Sequence, residues 1–493
     1  MNEGLSTPVK VAPTGAEAPA RDIPVPGARH ALLLLVLINL FNYIDRQVLA
    51  AVEPQIRGEI LIDHSYCAGL VGVAVSPLPY SPLLTAASAY PERLERSDAK
   101  KMTGFLSLAF LVTYMLTAPL FGALATRMSR WLLIGIGVGV WSLASGATGL
   151  APMFGTGIGG SGLILLGYSL STVYLVMVFT RCLVGLGEAV YGPVAPDIIS
   201  DLFPLQKRGQ VLAWFYAAIP FGGALGYALG AVVVKMTGDW RNAFFVVVPP
   251  GLLLAIWCAL MPEPPRGRTD QIPTTSRVAS WSDYLFLLRI PSYLFNTIGM
   301  AAMTFAIGGL AFWAPGFLTY LKVGDVFGLP AVMFFGLQTA VLGLVATLLG
   351  GIAGDALRRR FSGSYFLVSG AAMCIGFPML VLMVWLPFPA AWIPMGLFVF
   401  CLFFNTGPTN TILANVTHPL LRARGFAFNI LIIHLFGDAI SPAIMGWIIG
   451  KDNRYALAFQ IVSVMVLIGG LLWLWGARYL QRDTQLAPMR LPD

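Results

Sequence analysis

At 493 residues, 57% of them hydrophobic and 11% charged, with a mean hydropathy of +0.76, the chain is too apolar for a water-soluble globular protein. Apolar runs near the roughly 20 residues needed to cross a bilayer recur along its length, so lipid is its main solvent and its spans are helices that satisfy their own backbone. The formal net charge of +8 follows from the topology derived below, which removes the case for a nucleic-acid partner.

The first thirty residues hold five prolines and no apolar run, which predicts a disordered cytoplasmic tail over 1–29 without a secretory signal. A first bundle over 30–262 carries spans at 31–50, 104–124, 131–151, 169–192, 209–234 and 242–261. An external insertion, about 61–100, contains the uncharged run Cys67 to Tyr90; Pro77, Pro79 and Pro82 within it argue against a thirteenth helix. Pro262, Pro264, Pro265 and Pro273 then break the pattern and mark a cytoplasmic linker over 263–290. The end of that linker, Trp281 to Arg289, suits a short helix lying on the membrane surface. A second bundle over 291–481 carries spans at 292–320, 331–354, 364–386, 390–414, 426–449 and 456–477, and 482–493 is a cytoplasmic tail.

These spans place nineteen of the 31 Lys and Arg residues on the side of both termini and ten on the other, with Arg46 and Arg181 inside spans. Both termini are therefore expected in the cytoplasm, in a plasma or inner membrane. The cysteines at 67, 182, 258, 374 and 401 show no metal spacing and read as small apolar packing residues. No metal or other cofactor is expected.

The chain repeats itself. Gly122-Ala-Leu-Ala-Thr126-Arg127-Met-Ser-Arg130 after span 2 matches Gly351-Ile-Ala-Gly-Asp355-Ala-Leu-Arg358-Arg359 after span 8, 229 residues on. Leu205-Gln-Lys-Arg208-Gly209 matches Leu421-Arg-Ala-Arg424-Gly425, 216 residues on. The fold class is thus an all-α integral membrane protein with twelve transmembrane helices in two pseudo-symmetric six-helix bundles. The 13-residue change of offset requires an insertion in the first half, for which glycine-rich 155–162 is the candidate.

The two repeated loops resemble the major facilitator signature, and Arg181, Gly185, Gly187 and Pro193 resemble its second signature in span 4. Arg181-Cys-Leu-Val-Gly-Leu-Gly-Glu188-Ala-Val-Tyr191, Asn42-Tyr-Ile-Asp45-Arg46, the stretch Phe305 to Pro315 and the stretch His434 to Pro442 are similar to the spinster branch, over roughly 31 to 480. The resemblance implies a secondary carrier working by alternating access, from a branch linked to lysophospholipids and sphingoid phosphates. It also implies a conformational latch at Gly122, Arg127, Arg130, Gly351, Asp355 and Arg359. The acid expected in the first signature is Thr126 here, which puts the first half of that latch in doubt.

Independently of family, a charge at mid-bilayer costs about 2.5–3.5 kcal/mol on insertion scales unless paired or wet. Asp45, Arg46, Arg181 and Glu188 sum to zero. Asp45 and Arg46 point about 100° apart on a helix, and Arg181 and Glu188 lie roughly 10 Å apart along one face, so groups from spans 1 and 4 must interleave. Asp45 is expected to meet Arg181 and Arg46 to meet Glu188, with the crossed pairing left open. Separating such a carboxylate from its arginine favours proton uptake, a workable coupling device; a fixed network that only orients two helices is the alternative.

In the second half, His434 and Asp438 share a face of span 11 near Asn429, either as part of the substrate path or as a tie to neighbouring helices. Phe305, Phe312 and Trp313 on span 7, with Tyr191, offer apolar walls for an amphiphile, although membrane aromatics also pack or face lipid. The expected cargo is an amphiphilic anion moved with protons by a monomer in the lipid bilayer. A small organic anion or sugar acid is the rival. No phosphate-binding loop, H-E-x-x-H or G-x-S-x-G motif is present, so the chain is not read as an enzyme or a nucleotide-driven pump. Two divergent halves suit a carrier better than a channel.

Overall fold

The computed structural model describes residues 26–56, 104–157, 163–165, 168–170, 172–267, 280–450 and 452–490. The external insertion at about 61–100, Cys67 and most of the N-terminal tail lie outside them. Among the described residues twelve helices are long and apolar enough to cross a membrane. Spans 1 to 6 are Ala28–Glu53, Gly104–Leu124, Arg130–Met153, Thr172–Leu202, Arg208–Thr237 and Arg241–Ala259. Spans 7 to 12 are Pro291–Tyr320, Ala331–Arg358, Ser364–Trp385, Trp392–Val416, Pro419–Ile449 and Tyr455–Met489.

Several element ends differ from the sequence-based expectation, and four of them carry a lesson. Span 4 begins at Thr172, because Leu163–Leu165 and Tyr168–Leu170 form a small antiparallel hairpin before it. It also runs ten residues further, to Leu202, despite Pro193 and Pro196. Span 11 starts a full turn and more earlier, at Pro419. Finally, the tail expected from 482 is still helix as far as Leu486, because Asp483 is fully buried and accepts the Ser292 N–H at 2.9 Å at the start of span 7. At the end of span 4, the start of span 11 and the end of span 12, buried charged residues (Asp197, Asp201, Arg422 and Asp483) lie on helix beyond the point where the hydropathy signal fades.

With no water to expel between helices in lipid, close packing at small residues drives their association. On span 5, Gly222, Gly226 and Gly230 each face the backbone or a small side chain of span 1; a Cβ on Gly222 would lie 2.7 Å from the Leu40 carbonyl oxygen. Gly223 is the exception, with only the Gln47 stem at 3.9 Å. Cys182, Cys258, Cys374 and Cys401 are free thiols within the bundles.

The halves meet at the end that carries the linker. Gly122 of span 2 abuts span 11, where a Cβ would lie 2.6 Å from the Ala427 Cβ and 2.9 Å from the Ala423 carbonyl oxygen. Gly351 of span 8 abuts span 5 in the same manner, against Ala213 and the Gly209 carbonyl oxygen. These paired contacts set the register of the duplication: 209 and 213 correspond to 423 and 427, an offset of 214. The offset of 216 read from the Arg-Gly dipeptides is therefore two residues too large, and Arg208 corresponds to Arg422 rather than Arg424.

Candidate functional site

At the centre, spans 1 and 4 bring Arg46 and Glu188 together. The Arg46 Nε donates to Glu188 at 2.6 Å and its Nη2 lies 2.5 Å from the same carboxylate, whose side chain is fully buried. The arginine keeps 21% side-chain exposure and sits 4.8–5.1 Å from the ring centres of Tyr43, Phe110 and Tyr114. Such stacking holds a guanidinium that one carboxylate alone cannot satisfy.

The expected Asp45–Arg181 pair does not form as an ion pair. Span 3 intervenes instead: Ser145 donates to Asp45, and Arg181 Nη2 donates to Thr148 Oγ1 at 2.7 Å. Arg181 also stacks on Phe244, 5.4 Å from the ring centre. Both charged groups are buried, and one polar atom of each, Asp45 Oδ2 and Arg181 Nε, has no hydrogen-bond partner among the described residues. Hydroxyl groups on an apolar-reading helix carry too little sequence signal to place them in a network.

His434 and Asp438 do meet, Nδ1 to Oδ1 at 2.8 Å, where span 11 widens into a π-helical turn with non-helical torsions at Gly437. The imidazole stands edge-on to Tyr114 of the other half, 5.4 Å between ring centres, so it borders the Arg46 cage. Asn429 is buried further along and donates weakly to Met300 Sδ at 3.6 Å.

The expected aromatic walls pack instead. Phe305 is in the core at 5% exposure. Trp313 donates its indole N–H to the Pro442 carbonyl at 2.9 Å and lies edge-on to Tyr455, tying spans 7, 11 and 12. Phe312 is exposed against it, and Tyr191 is buried with its hydroxyl on the Leu35 carbonyl. The rings that do line the centre, Tyr43, Phe110 and Tyr114, come from spans 1 and 2; the spacing of 110 and 114 by one helical turn was the available signal.

At the linker end, Arg130 is fully buried and binds Asp197 at 2.9 Å, Asp201 at 2.6 Å and Glu263 at 2.6 Å. Arg422 of the second half reaches the other oxygen of Asp201 at 3.3 Å. Arg422 also donates to the carbonyl of Ala414, eight residues before it, as Arg208 does to Ser200. Arg208 completes the symmetry by donating across the halves to Asn415 Oδ1 at 3.2 Å. Asp355 accepts the Gln210 N–H and the Tyr365 hydroxyl, both at 2.7 Å, at the start of span 5.

Of the six expected latch residues, Gly122, Arg130, Gly351 and Asp355 lie in this closed end. Arg127 is exposed and forms no ion pair among the described residues, and Arg359 is likewise exposed at the helix end. The neighbouring Arg358 makes the crossing contact, to the Leu205 carbonyl at 2.8 Å. Among the described residues the charged cluster at this end is buried, while Arg46, His434 and Asp438 at the centre keep some exposure.

The model of the Major Facilitator Superfamily matches residues 35–437. Protein spinster homolog 3 of Danio rerio is 30% identical over 487 residues, spanning 93% of this chain and 86% of its own. Protein spinster homolog 1 of Homo sapiens is 29% identical over 495 residues, spanning 94% and 83%. Among solved structures, a double Trp mutant of XylE shares the fold with a TM-score of 0.71 at 15% identity, covering 94% of this chain and 99% of that one. A bacterial homolog to the human lysosomal transporter Spinster does so with a TM-score of 0.55 at 19% identity, covering 93% and 98%.

Proposed function

Since the chain belongs to the major facilitator superfamily, as a spinster-type transporter that works by alternating access, we propose that it moves an anionic amphiphile together with protons. The observation that carries this reading is the Arg46–Glu188 pair inside the cage of Tyr43, Phe110 and Tyr114. One guanidinium serves either the carboxylate or an incoming anion. When Glu188 takes a proton it releases Arg46 for an anionic head group, a charge-assisted contact, while the rings cover the adjoining apolar part. When the anion leaves, Glu188 gives up its proton and recaptures the arginine. Asp45, held by Ser145, remains the second candidate for the proton, and His434 with Asp438 borders the same space.

The cluster about Arg130 and the start of span 5 would then hold the state closed at the linker end, which the loop charges assign to the cytoplasm. Moving between states requires breaking those contacts as the halves rock.

Uptake into proteoliposomes tests the proposal, with labelled lysophospholipid, a sphingoid phosphate and small organic anions compared under an imposed proton gradient. Amphiphile uptake driven by the gradient and competed by the other amphiphiles is expected, and Glu188→Gln should lose the gradient dependence while retaining exchange. Selective uptake of the small anions would replace the amphiphile reading. Unchanged gradient dependence in both Glu188→Gln and Asp45→Asn would remove these carboxylates from coupling.

A further inference from the structure

A groove opens at the linker end between the two halves, away from the central cage. Its walls are Leu120, Ala123, Leu124 and Arg127 of the end of span 2, Ser280, Trp281 and Tyr284 of the linker, and Arg424 of span 11. Among the described residues, two arginines and no carboxylate line it. Asp283, next to the lining residue Tyr284, is fully buried and is bound to Arg424, whose Nη1 also donates to the Ser280 carbonyl. Arg127 at the mouth is exposed and without an acidic partner among the described residues, so the groove is net cationic.

The same groove adjoins an exposed apolar strip. Leu116 and Leu120, one helical turn apart on span 2, are 56% and 52% exposed. On the short helix Ser282–Leu287 and its cap, Trp281 and Leu285 are 63% and 66% exposed, also one turn apart, while Asp283, Tyr284 and Leu287 face inward. A tryptophan at such a position suits the interfacial layer of a bilayer, where its ring is half apolar and half wet.

We propose that this groove binds an anionic phospholipid of the surrounding bilayer, with the phosphate at Arg127 and an acyl chain along Leu116 and Leu120. A basic groove continuous with an apolar strip fits a tailed anion better than a free one, because the tail contributes burial that inorganic phosphate lacks. The groove is built jointly from span 2, the linker and span 11, which meet where Gly122 lies against Ala427. A lipid bound there therefore favours the state closed at the linker end, through its differential affinity for that state. The site stands apart from the transported substrate, so it survives or fails independently of the amphiphile reading.

Native mass spectrometry of the full chain released from nanodiscs containing phosphatidylcholine and phosphatidylglycerol tests this. Retained phosphatidylglycerol is expected, reduced about fivefold by Arg127→Gln, the size of one arginine near an anionic surface. It should also fall in Trp281→Ser and stay unchanged in Arg454→Gln, which alters an exposed arginine paired with Asp452 elsewhere. Cross-linking of a cysteine pair placed at the closed end should rise with phosphatidylglycerol content in the unsubstituted background and not with Arg127→Gln. Equal retention by the Arg127→Gln and Arg454→Gln variants would overturn the site. So would displacement of the lipid by glycerol phosphate at equal concentration, which would show that the head group alone binds.

Discussion

The two corners where the halves cross, span 2 on span 11 and span 8 on span 5, share their backbone packing and differ in their charges. Gly122 against Ala423 and Ala427 repeats Gly351 against Gly209 and Ala213 at the same 214-residue register. The arginines that follow, Arg422 and Arg208, make the same bond to a carbonyl eight residues back. Across the halves, however, Arg422 meets the carboxylate of Asp201 and Arg208 meets the amide of Asn415. Shape has been kept in duplicate, then, while the ion pair has been kept once. The missing acid at Thr126, whose hydroxyl only returns to the Ala123 carbonyl, is answered from elsewhere. Asp283 of the linker takes Arg424, and Tyr284 beside it donates to the Pro119 carbonyl of span 2.

The largest break in this comparison is expected from Arg130→Met. It leaves Asp197 and Asp201 buried with one arginine between them, a loss of roughly 3–5 kcal/mol for a buried charge stripped of its partner. Thermal unfolding in detergent should show a large fall in the midpoint. Asn415→Ala on the neutral corner removes a single uncharged acceptor and should cost only about 1 kcal/mol. Similar falls for the two would mean that the ionic and neutral corners bear equal load.

Steric wedges test the shared part. Gly122→Val and Gly351→Val each place atoms inside the opposing helix, and with equivalent packing both should drive the protein out of the state closed at the linker end to a similar degree. The rate of maleimide labelling of a cysteine introduced near that end measures it. A strong effect at one glycine and none at the other would show that the two corners are not mechanically alike.

The twelve spans were legible because lipid imposes a similar length and polarity on every helix, and the repeat was legible because Gly122 and Gly351 sit where two helix backbones approach closely. The Arg46–Glu188 pair was legible for a related reason, since buried charges are few and must neutralise one another. What escaped was polar chemistry on helices already counted as apolar. Ser145 and Thr148 on span 3 hold Asp45 and Arg181 apart, and a hydroxyl in a membrane helix is too ordinary to announce itself. Asp197 and Asp201 escaped because the hydropathy of span 4 fades before its helix does, which hid the partners of Arg130 in an assumed loop. The aromatic cage escaped through the opposite fault: Phe305 and Trp313 drew attention as large rings, yet ring size does not distinguish a lining residue from one that packs.

The smallest expected effects separate charge from hydrogen bonding at the two corners. Asp355 accepts the Gln210 N–H near the positive end of span 5, so Asp355→Asn keeps an acceptor and loses the charge. A shift of about 0.3–1 kcal/mol toward the open state is expected, the range for a carboxylate at a helix start. The reciprocal change, Thr126→Asp, should do little by itself, because Arg424 is already neutralised by Asp283 and a second carboxylate nearby is repelled. In an Asp283→Asn background the same substitution should recover closure, read by the same labelling rate. If Thr126→Asp tightens the unaltered protein as much as it rescues Asp283→Asn, the linker carboxylate is not the substitute for the lost acid, and the asymmetry of the two corners lies in span 4 alone.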